Sequence, residues 1–309
     1  MKVPSIKFNW RGEPLLHPKL PQFINYAKKK GILETIINTN ATNLNEKKSK
    51  ELINAGLDLM IYSFDGGSKK TYESMRPGRF KKNKFENVYQ NIKRFKKIKD
   101  KMNAQLPYTK IQMILTKDTM NEVDSFFKLF ENYVDDISLN QYTERGGNLD
   151  ELNDSELNNY KKKIKEKKLP YNTPYLRDVF RNIKVAQKRL PCEQPYQRLM
   201  VTYEGKVAMC CQDWGAKHAV GYTSPVGFNN KKDYLNVFNK AKRKDKGFEL
   251  LEKVEMPKIF NNPEKKVETL KDIWFGKEIN EVRNSHLKCN GMNIDICKNC
   301  TVKDVYQWE

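Results

Sequence analysis

Short apolar runs alternate with stretches of helical spacing through the first 150 residues. Ile6-Lys7-Phe8-Asn9-Trp10 reads as a strand that runs into the turn Arg11-Gly12-Glu13-Pro14. Leu20, Phe23, Ile24 and Ala27 recur at helical spacing across 19–30, and Gly31 stands where a helix C-cap belongs. Leu33 to Asn38 is the next strand, and 45–55 is a helix stopped by Gly56. Leu59-Met60-Ile61-Tyr62-Ser63 reads as a buried strand ending at Asp65-Gly66-Gly67. A helix over 84–100, a strand over 111–115, a helix over 122–133 and a strand over 137–142 complete the series. Such alternation with short loops predicts an α/β fold with a parallel sheet. Sites in these sheets lie at the C-terminal ends of the strands. The distinctive residues fall there: Gly12-Glu13-Pro14 after the first strand, Thr39-Asn40 after the second, and Ser63 and Asp65 after the third.

The texture then changes. Residues 151–184 are charged and read as a helical connector broken at Pro170 and Pro174. From 185 to 309 the chain breaks into short segments, glycine turns and cysteines, which predicts a small α+β domain. Tyr203-Glu204-Gly205-Lys206 is a hairpin turn between Leu199–Thr202 and Val207–Cys210. Residues 223–268 are rich in Lys and Asn and read as an insertion. Leu270-Lys271-Asp272-Ile273-Trp274 leads into a helix that carries Arg283 and His286 toward the last cysteines.

All six cysteines lie at or after position 192. Cys192, Gly205 and Cys210 form C-x12-G-x4-C, and Cys297 and Cys300 form C-x2-C. Two separated thiolate pairs can close a four-sulfur cage around zinc or an iron–sulfur cluster, and spacing alone leaves both open. No apolar run at the N-terminus serves as a signal peptide, and no stretch approaches the roughly 20 apolar residues of a membrane span. A cytoplasmic location with reduced thiols is therefore expected rather than a disulfide scaffold. The net charge of +20, from 58 Lys+Arg against 38 Asp+Glu, is spread along the chain. No aromatic motif of the RNA-binding kind is interleaved with it, so nucleic acid is not the expected partner, whereas an acidic peptide or other polyanion is compatible.

Taken in order, these signals resemble radical S-adenosylmethionine (SAM) enzymes that end in a SPASM-type auxiliary iron–sulfur domain. The resemblance rests on Phe8 to Pro18 around Gly12-Glu13-Pro14, on Asn38-Thr39-Asn40-Ala41, and on Tyr62-Ser63-Phe64-Asp65-Gly66. It rests equally on Cys192…Gly205…Cys210-Cys211-Gln212-Asp213, on Asp272-Ile273-Trp274 and on Cys297-Lys298-Asn299-Cys300. It implies a partial (β/α) barrel over 1–150 and a SPASM-like domain over 185–309. Gly12, Glu13 and Pro14 would hold the SAM ammonium; Asn40 would line the same cavity; Ser63 and Asp65 would meet the ribose or methionine end. Arg11 stands where the family usually has glycine. Cys192, Cys210, Cys297 and Cys300 would ligate one auxiliary 4Fe-4S cluster, with zinc as the alternative, while Cys211 could replace Cys210 and Cys289 is spare. Asp213 would be a base on the substrate. His17, His218 and His286 read as structural residues. The implied partners are an unidentified substrate, with peptides among the family's substrates, and an electron donor such as flavodoxin or ferredoxin.

One departure limits the resemblance. The family's C-x3-C-x2-C loop, which holds the SAM-cleaving cluster, is not in this sequence, and the chain opens at the strand that carries Gly-Glu-Pro. The expectation is a barrel lacking its first βα unit, in a chain that is a fragment of a modifying enzyme or oxidoreductase. The competing reading is a non-catalytic binding protein stapled by zinc or a cluster, with a basic surface.

Overall fold

The computed structural model describes residues 3–10, 12–77, 84–141, 191–213, 216, 218–224, 266–288, 293–298 and 300. The chain divides into two compact units: Met1–Thr143 with Leu152–Asn182, and Glu144–Glu151 with Ile183–Glu309. The predicted connector over 151–184 lies outside the described residues.

The first unit is built on five parallel strands, β1 (Ser5–Lys7), β2 (Glu34–Thr39), β3 (Leu59–Ser63), β4 (Tyr108–Leu115) and β5 (Asp136–Gln141). They pair in sequence order, each parallel to the next. This singly wound order belongs to barrel-type α/β sheets; doubly wound sheets reverse their strand order at a switch point. Helices α1 (Leu20–Lys29), α2 (Glu46–Asn54), α3 (Lys69–Met75), α4 (Phe85–Lys101), α5 (Lys117–Met120) and α6 (Val123–Phe130) lie between the strands. Their buried residues repeat at helical spacing: Leu20, Ile24 and Ala27 in α1, and Val88, Ile92, Phe95 and Ile98 in α4. Ile37, Met60, Tyr62, Ile111 and Met113 come up from one face of the sheet to join the same core.

Strand β1 ends at Lys7, short of the predicted Trp10. Phe8 N still donates to Ile36 O, but the Asn9 side chain then takes over and accepts from Asn38 N at 2.8 Å. A side-chain oxygen thus replaces the backbone ladder. Strand β4 starts at Tyr108, before the predicted 111, because Tyr108 N donates to Asp58 O. Helix α3 was not predicted: its buried anchor is the single residue Tyr72, too little for a periodic pattern, and Ser68 caps its N-terminus.

Two like-built buckles secure the N-terminal edge of the sheet. Asp58, just before β3, accepts from Lys28 Nζ at 2.9 Å, from Thr35 Oγ1 at 2.8 Å and from Thr35 N at 2.7 Å. Asp135, just before β5, accepts from Lys99 Nζ at 3.0 Å and from Thr109 Oγ1 and N, each at 2.7 Å. In both, a helix supplies the lysine, the second residue of the next strand supplies the threonine, and the aspartate precedes the strand after that. Burial opposes ionisation of both aspartates, but the bonds from lysine and threonine outweigh it and hold both carboxyls below their ordinary range.

Past β3 the chain turns sharply over a knot of rings. Phe64, fully buried, stacks on Tyr72 at 4.1 Å and meets Phe130 edge-on at 4.9 Å. Glu122 closes the turn, accepting from Gly67 N, Ser68 Oγ and Thr71 Oγ1, each at 2.7 Å. At Gly67 a Cβ would stand 2.5 Å from the Glu122 carbonyl oxygen, so this approach admits only glycine.

The second unit has a three-stranded antiparallel sheet, β6 (Met200–Val201), β7 (Lys206–Ala208) and β8 (Ala219–Tyr222). The predicted hairpin turn joins the first two, with Gly205 at φ +85°. Helices α7 (Gln194–Gln197), α8 (Leu270–Phe275), α9 (Lys277–Leu287) and α10 (Asp295–Lys298) complete the described part. Glu268 N donates to Tyr222 O, so the chain leaves the sheet after β8 and returns to the same point. Most of the segment read as an insertion, 225–265, lies outside the described residues. No helix among the described residues is long and apolar enough to cross a membrane.

The buckles give the first unit an acid-sensitive component. A carboxyl depressed by folding contributes stability above its unfolded pKa, and that contribution disappears as pH falls through the lower folded value. Asp58→Asn and Asp135→Asn should each cost about 1–3 kcal/mol at pH 7, and the deficit relative to wild type should shrink below about pH 4. Urea unfolding across pH measures this; a pH-independent deficit contradicts the assignment. Gly67→Ala should cost about 1–3 kcal/mol in the same assay, because backbone rather than a flexible side chain must yield.

Candidate functional site

At the C-terminal edge of the parallel sheet, Glu13 ties the first loop to the second strand. Gly12 takes φ +78°, with open space where a Cβ would stand, so conformation rather than crowding calls for glycine. Pro14 opens a 3-10 turn over Pro14–Leu16, and Glu13 caps it by accepting from Leu15 N at 3.0 Å. The same carboxylate accepts from Thr39 Oγ1 at 2.6 Å and from Asn40 N at 2.8 Å. Burial raises the Glu13 carboxyl, and the bonds from Thr39, Asn40 and Leu15 with the charge of Arg76 offset only part of the rise.

Asn40 accepts from Thr42 N at 2.9 Å, forming a side-chain turn beyond β2. Ser63 Oγ accepts from Gln112 Nε2 at 3.3 Å. Asp65 is buried; its Oδ1 accepts from Ile114 N, and its Oδ2 accepts from Arg76 Nε at 2.8 Å and pairs with Arg76 Nη2 at 2.7 Å. Arg76 was missed in the sequence because it follows α3, which the apolar pattern did not reveal. Its charge reaches both Glu13 and Asp65. The edge therefore carries acid, base and hydroxyl groups near one another. Arg11 lies outside the described residues.

In the second unit Cys192, Cys210, Cys297 and Cys300 all line one cavity. Cys192 lies just before α7 and Cys210 just after β7. Cys297 sits in α10, and Cys300 N donates to Cys297 O, so the C-x2-C pair is one tight turn. Cys210, Cys297 and Cys300 are buried, and Pro195, Met209 and Ile296 supply apolar wall. Burial pushes the Cys210 thiol far up; the backbone N–H groups of Asp213 and Gln212 pull it down, and Cys300 and Cys297 push it up again. Of the two neighbouring cysteines, Cys210 lines the cavity. Cys211 is absent from the cavity wall, and its Sγ contacts Gln194 Oε1 at 3.6 Å. Cys289 lies outside the described residues.

The scaffold around the cavity explains the Asp272-Ile273-Trp274 signal. Thr269 and Asp272 form a capping box at the start of α8. Ile273 packs so closely on β8 that a Cβ at Gly221 would meet it at 2.5 Å. Arg283 stacks on Trp274 at 4.3 Å, donates to Trp274 O at 2.7 Å, and reaches Pro195 O at 3.1 Å. It thereby fastens α9 to α7, the segment that follows Cys192.

The remaining expectations fall as follows. Asp213 is buried, and its Oδ2 accepts from His218 N at 2.9 Å, closing the loop after Cys210. His17 accepts from Lys19 N through Nδ1 and packs on Phe23, a structural role as expected. His286 is 2% exposed, lines the cavity, and its Nε2 lies 3.7 Å from Cys297 Sγ. The signal was its place seven residues after Ile279 and four after Val282, the buried face of α9.

Four thiols on one partly apolar cavity, with backbone N–H groups aimed at a sulfur, are a donor set that fits an iron–sulfur cluster. Among the described residues no three His, Cys, Asp or Glu side chains are gathered into a group that could hold a metal ion.

The family model "Radical SAM superfamily" matches residues 11–130, and the model "Iron-sulfur cluster-binding domain" (SPASM) matches residues 192–301. No curated protein matches the sequence. Among solved structures, BtrN in complex with AdoMet and 2-DOIA is similar at 17% identity and a TM-score of 0.43, over 96% of this chain and 72% of that one. SuiB from Streptococcus suis, bound to precursor peptide SuiA, is similar at 16% identity and a TM-score of 0.46, over 76% of this chain and 53% of that one. A domain of pyruvate-formate lyase-activating enzyme from Bacteroides vulgatus matches at 15% identity and a TM-score of 0.37, over 46% of this chain and 83% of that one. All three scores are too low for a neighbour to speak for this chain. The two family matches, in the order of the two units, make this chain a member of the radical SAM family with a SPASM domain.

Proposed function

We propose that the chain serves a radical SAM/SPASM modifying enzyme, with SAM at the strand ends of the first unit and an auxiliary 4Fe-4S cluster on Cys192, Cys210, Cys297 and Cys300. The convergence of those four thiols on one cavity carries the reading. A cluster there would supply a one-electron relay or a site for substrate coordination. The chain's own contribution is to bury three of the sulfurs, limiting solvent access, and to aim the amides of Gln212 and Asp213 at Cys210.

At the sheet edge, Glu13 offers a partly buried acceptor for the ammonium of SAM, and Arg76 offers the cation for its carboxylate. Asn40, Ser63 and Asp65 shape the same edge, Asp65 by holding Arg76 in place. We assign Asp213 to loop positioning beside Cys210 as well as to the candidate base role. The substrate class we propose is a peptide, and the net charge of +20 favours an acidic one. An electron donor of the flavodoxin or ferredoxin type belongs to the same reading.

Residues 1–191 contain no cysteine, so they do not hold the SAM-cleaving cluster of the family, and no cleavage step is assigned to them. The competing proposal is a non-catalytic binding protein stapled by zinc or a cluster, with a basic surface.

Anaerobic reconstitution with iron and sulfide should load about four irons per chain. Cys→Ser at 192, 210, 297 or 300 should remove most of that iron, and Cys211→Ser should leave it; a colourless zinc protein would overturn the reading. Equilibrium dialysis against SAM tests the sheet edge. Glu13→Gln and the paired variant Arg76→Gln/Asp65→Asn should each weaken binding about tenfold, the loss of one charge-assisted bond. The pair is changed together because Arg76→Gln alone would leave Asp65 buried without its cation, at a cost of about 3–5 kcal/mol in folding.

A further inference from the structure

His286 stands beside the four-cysteine cavity on the buried face of α9. Its ring lies on the wall of the four-cysteine cavity, with Nε2 3.7 Å from Cys297 Sγ, and the side chain is 2% exposed. Ile279 and Val282 share its helix face and are buried, and Arg283 pins the same helix through Trp274 O and Pro195 O. The helix that carries the ring is thus fixed in place on its buried face and through Arg283. We propose that His286 donates its Nε2–H to the Cys297 sulfur and thereby sets the reduction potential of the auxiliary cluster, an assignment that rests on the cluster reading above.

The donor direction follows from the chemistry of the sulfur. A thiolate bound to iron has lone pairs and no hydrogen, so a contact with it requires the hydrogen on Nε2. A hydrogen bond to a cluster sulfur draws electron density from it. It therefore stabilises the reduced cluster, which is one charge more negative, more than the oxidised one. Burial strengthens the effect, because water cannot screen it or offer a competing donor. The backbone amides of Gln212 and Asp213 serve Cys210 in the same manner from the other side of the sequence, so sulfurs from both cysteine pairs have a donor.

The test compares reconstituted wild type, His286→Phe and His286→Gln by iron analysis, EPR spectra and an EPR-monitored redox titration. Phenylalanine keeps the ring and removes the donor; glutamine restores an N–H. The expected result is equal iron in all three, a more negative midpoint in His286→Phe, and a midpoint close to wild type in His286→Gln. The shift should be about tenfold in the oxidised-to-reduced ratio at fixed poise, or roughly 59 mV for one electron. If His286→Phe loses iron while His286→Gln keeps both iron and the wild-type midpoint, the donor role also stands. Unchanged midpoint and spectrum in His286→Phe overturn it and leave the cluster reading intact. Loss of iron from both variants, with folding verified by circular dichroism, makes His286 a ligand or a packing residue and also overturns it. Wild-type protein that takes up no cluster overturns the cluster reading and this assignment together.

Discussion

The first unit depends on two carboxylates that are kept ionised at the start of strands. A parallel ladder leaves every strand beginning at the same edge, and that edge must satisfy backbone donors that no neighbouring strand reaches. Asp58 and Asp135 meet this need directly, since each accepts from the backbone amide of the second residue of the preceding strand, Thr35 or Thr109. The paired lysines, Lys28 and Lys99, come from the helices and join each crossover to the same point. Desolvation works against both acids, and the bonds overcome it. With one edge fastened in this way, the opposite edge is left to carry groups whose partners can be exchanged.

That opposite edge has a different electrostatic character. Glu13 is pushed up rather than down, because burial outweighs its three hydrogen bonds. A nearby ammonium would reverse the balance, so Glu13 gains more from a cationic ligand than Asp58 or Asp135 could. Asp65 holds Arg76, but one guanidinium can serve two carboxylates, and its charge already extends to Glu13. A ligand with both an ammonium and a carboxylate would meet complementary groups that are oriented before it arrives, which lowers the ordering cost of binding.

The alternation of apolar runs made the sheet legible, because five strands and their larger helices carry enough periodic residues to declare themselves. Helix α3 escaped, since one tyrosine anchors it and the rest is polar. Strand β8 escaped because it is short and sits among glycine and cysteine segments whose pattern is set by turns. The cysteine pairs were legible from spacing, with Cys210 named ahead of Cys211, and it is Cys210 that lines the cavity; spacing could not show why, as neighbouring residues differ only in which way the chain after β7 turns them. Arg76 and the buckles could not be read, because each joins residues 11 to 36 positions apart through contacts that only folding creates. His286 lay within reach of the periodicity that placed Ile279 and Val282, but a histidine on an apolar face reads first as core.

The second unit solves a harder problem with fewer residues. Its described core is small, with Val207, Met209, Val220, Ile273, Ile279 and Val282 packed around the sulfurs. Burial makes the Cys210 thiol a poor acid, which disfavours negative charge at that sulfur. Under the proposed cluster reading, iron would reverse that preference by holding the sulfurs as thiolates, and binding would be coupled to release of protons and to folding of the segments that bear them. Arg283 matters in this balance because it fixes the approach of the Cys192 and His286 segments without itself meeting the sulfurs: its bonds go to Trp274 and Pro195 carbonyls. A scaffold that positions the cysteine-bearing segments by cation–π stacking and backbone bonds places that work on groups other than the sulfurs themselves.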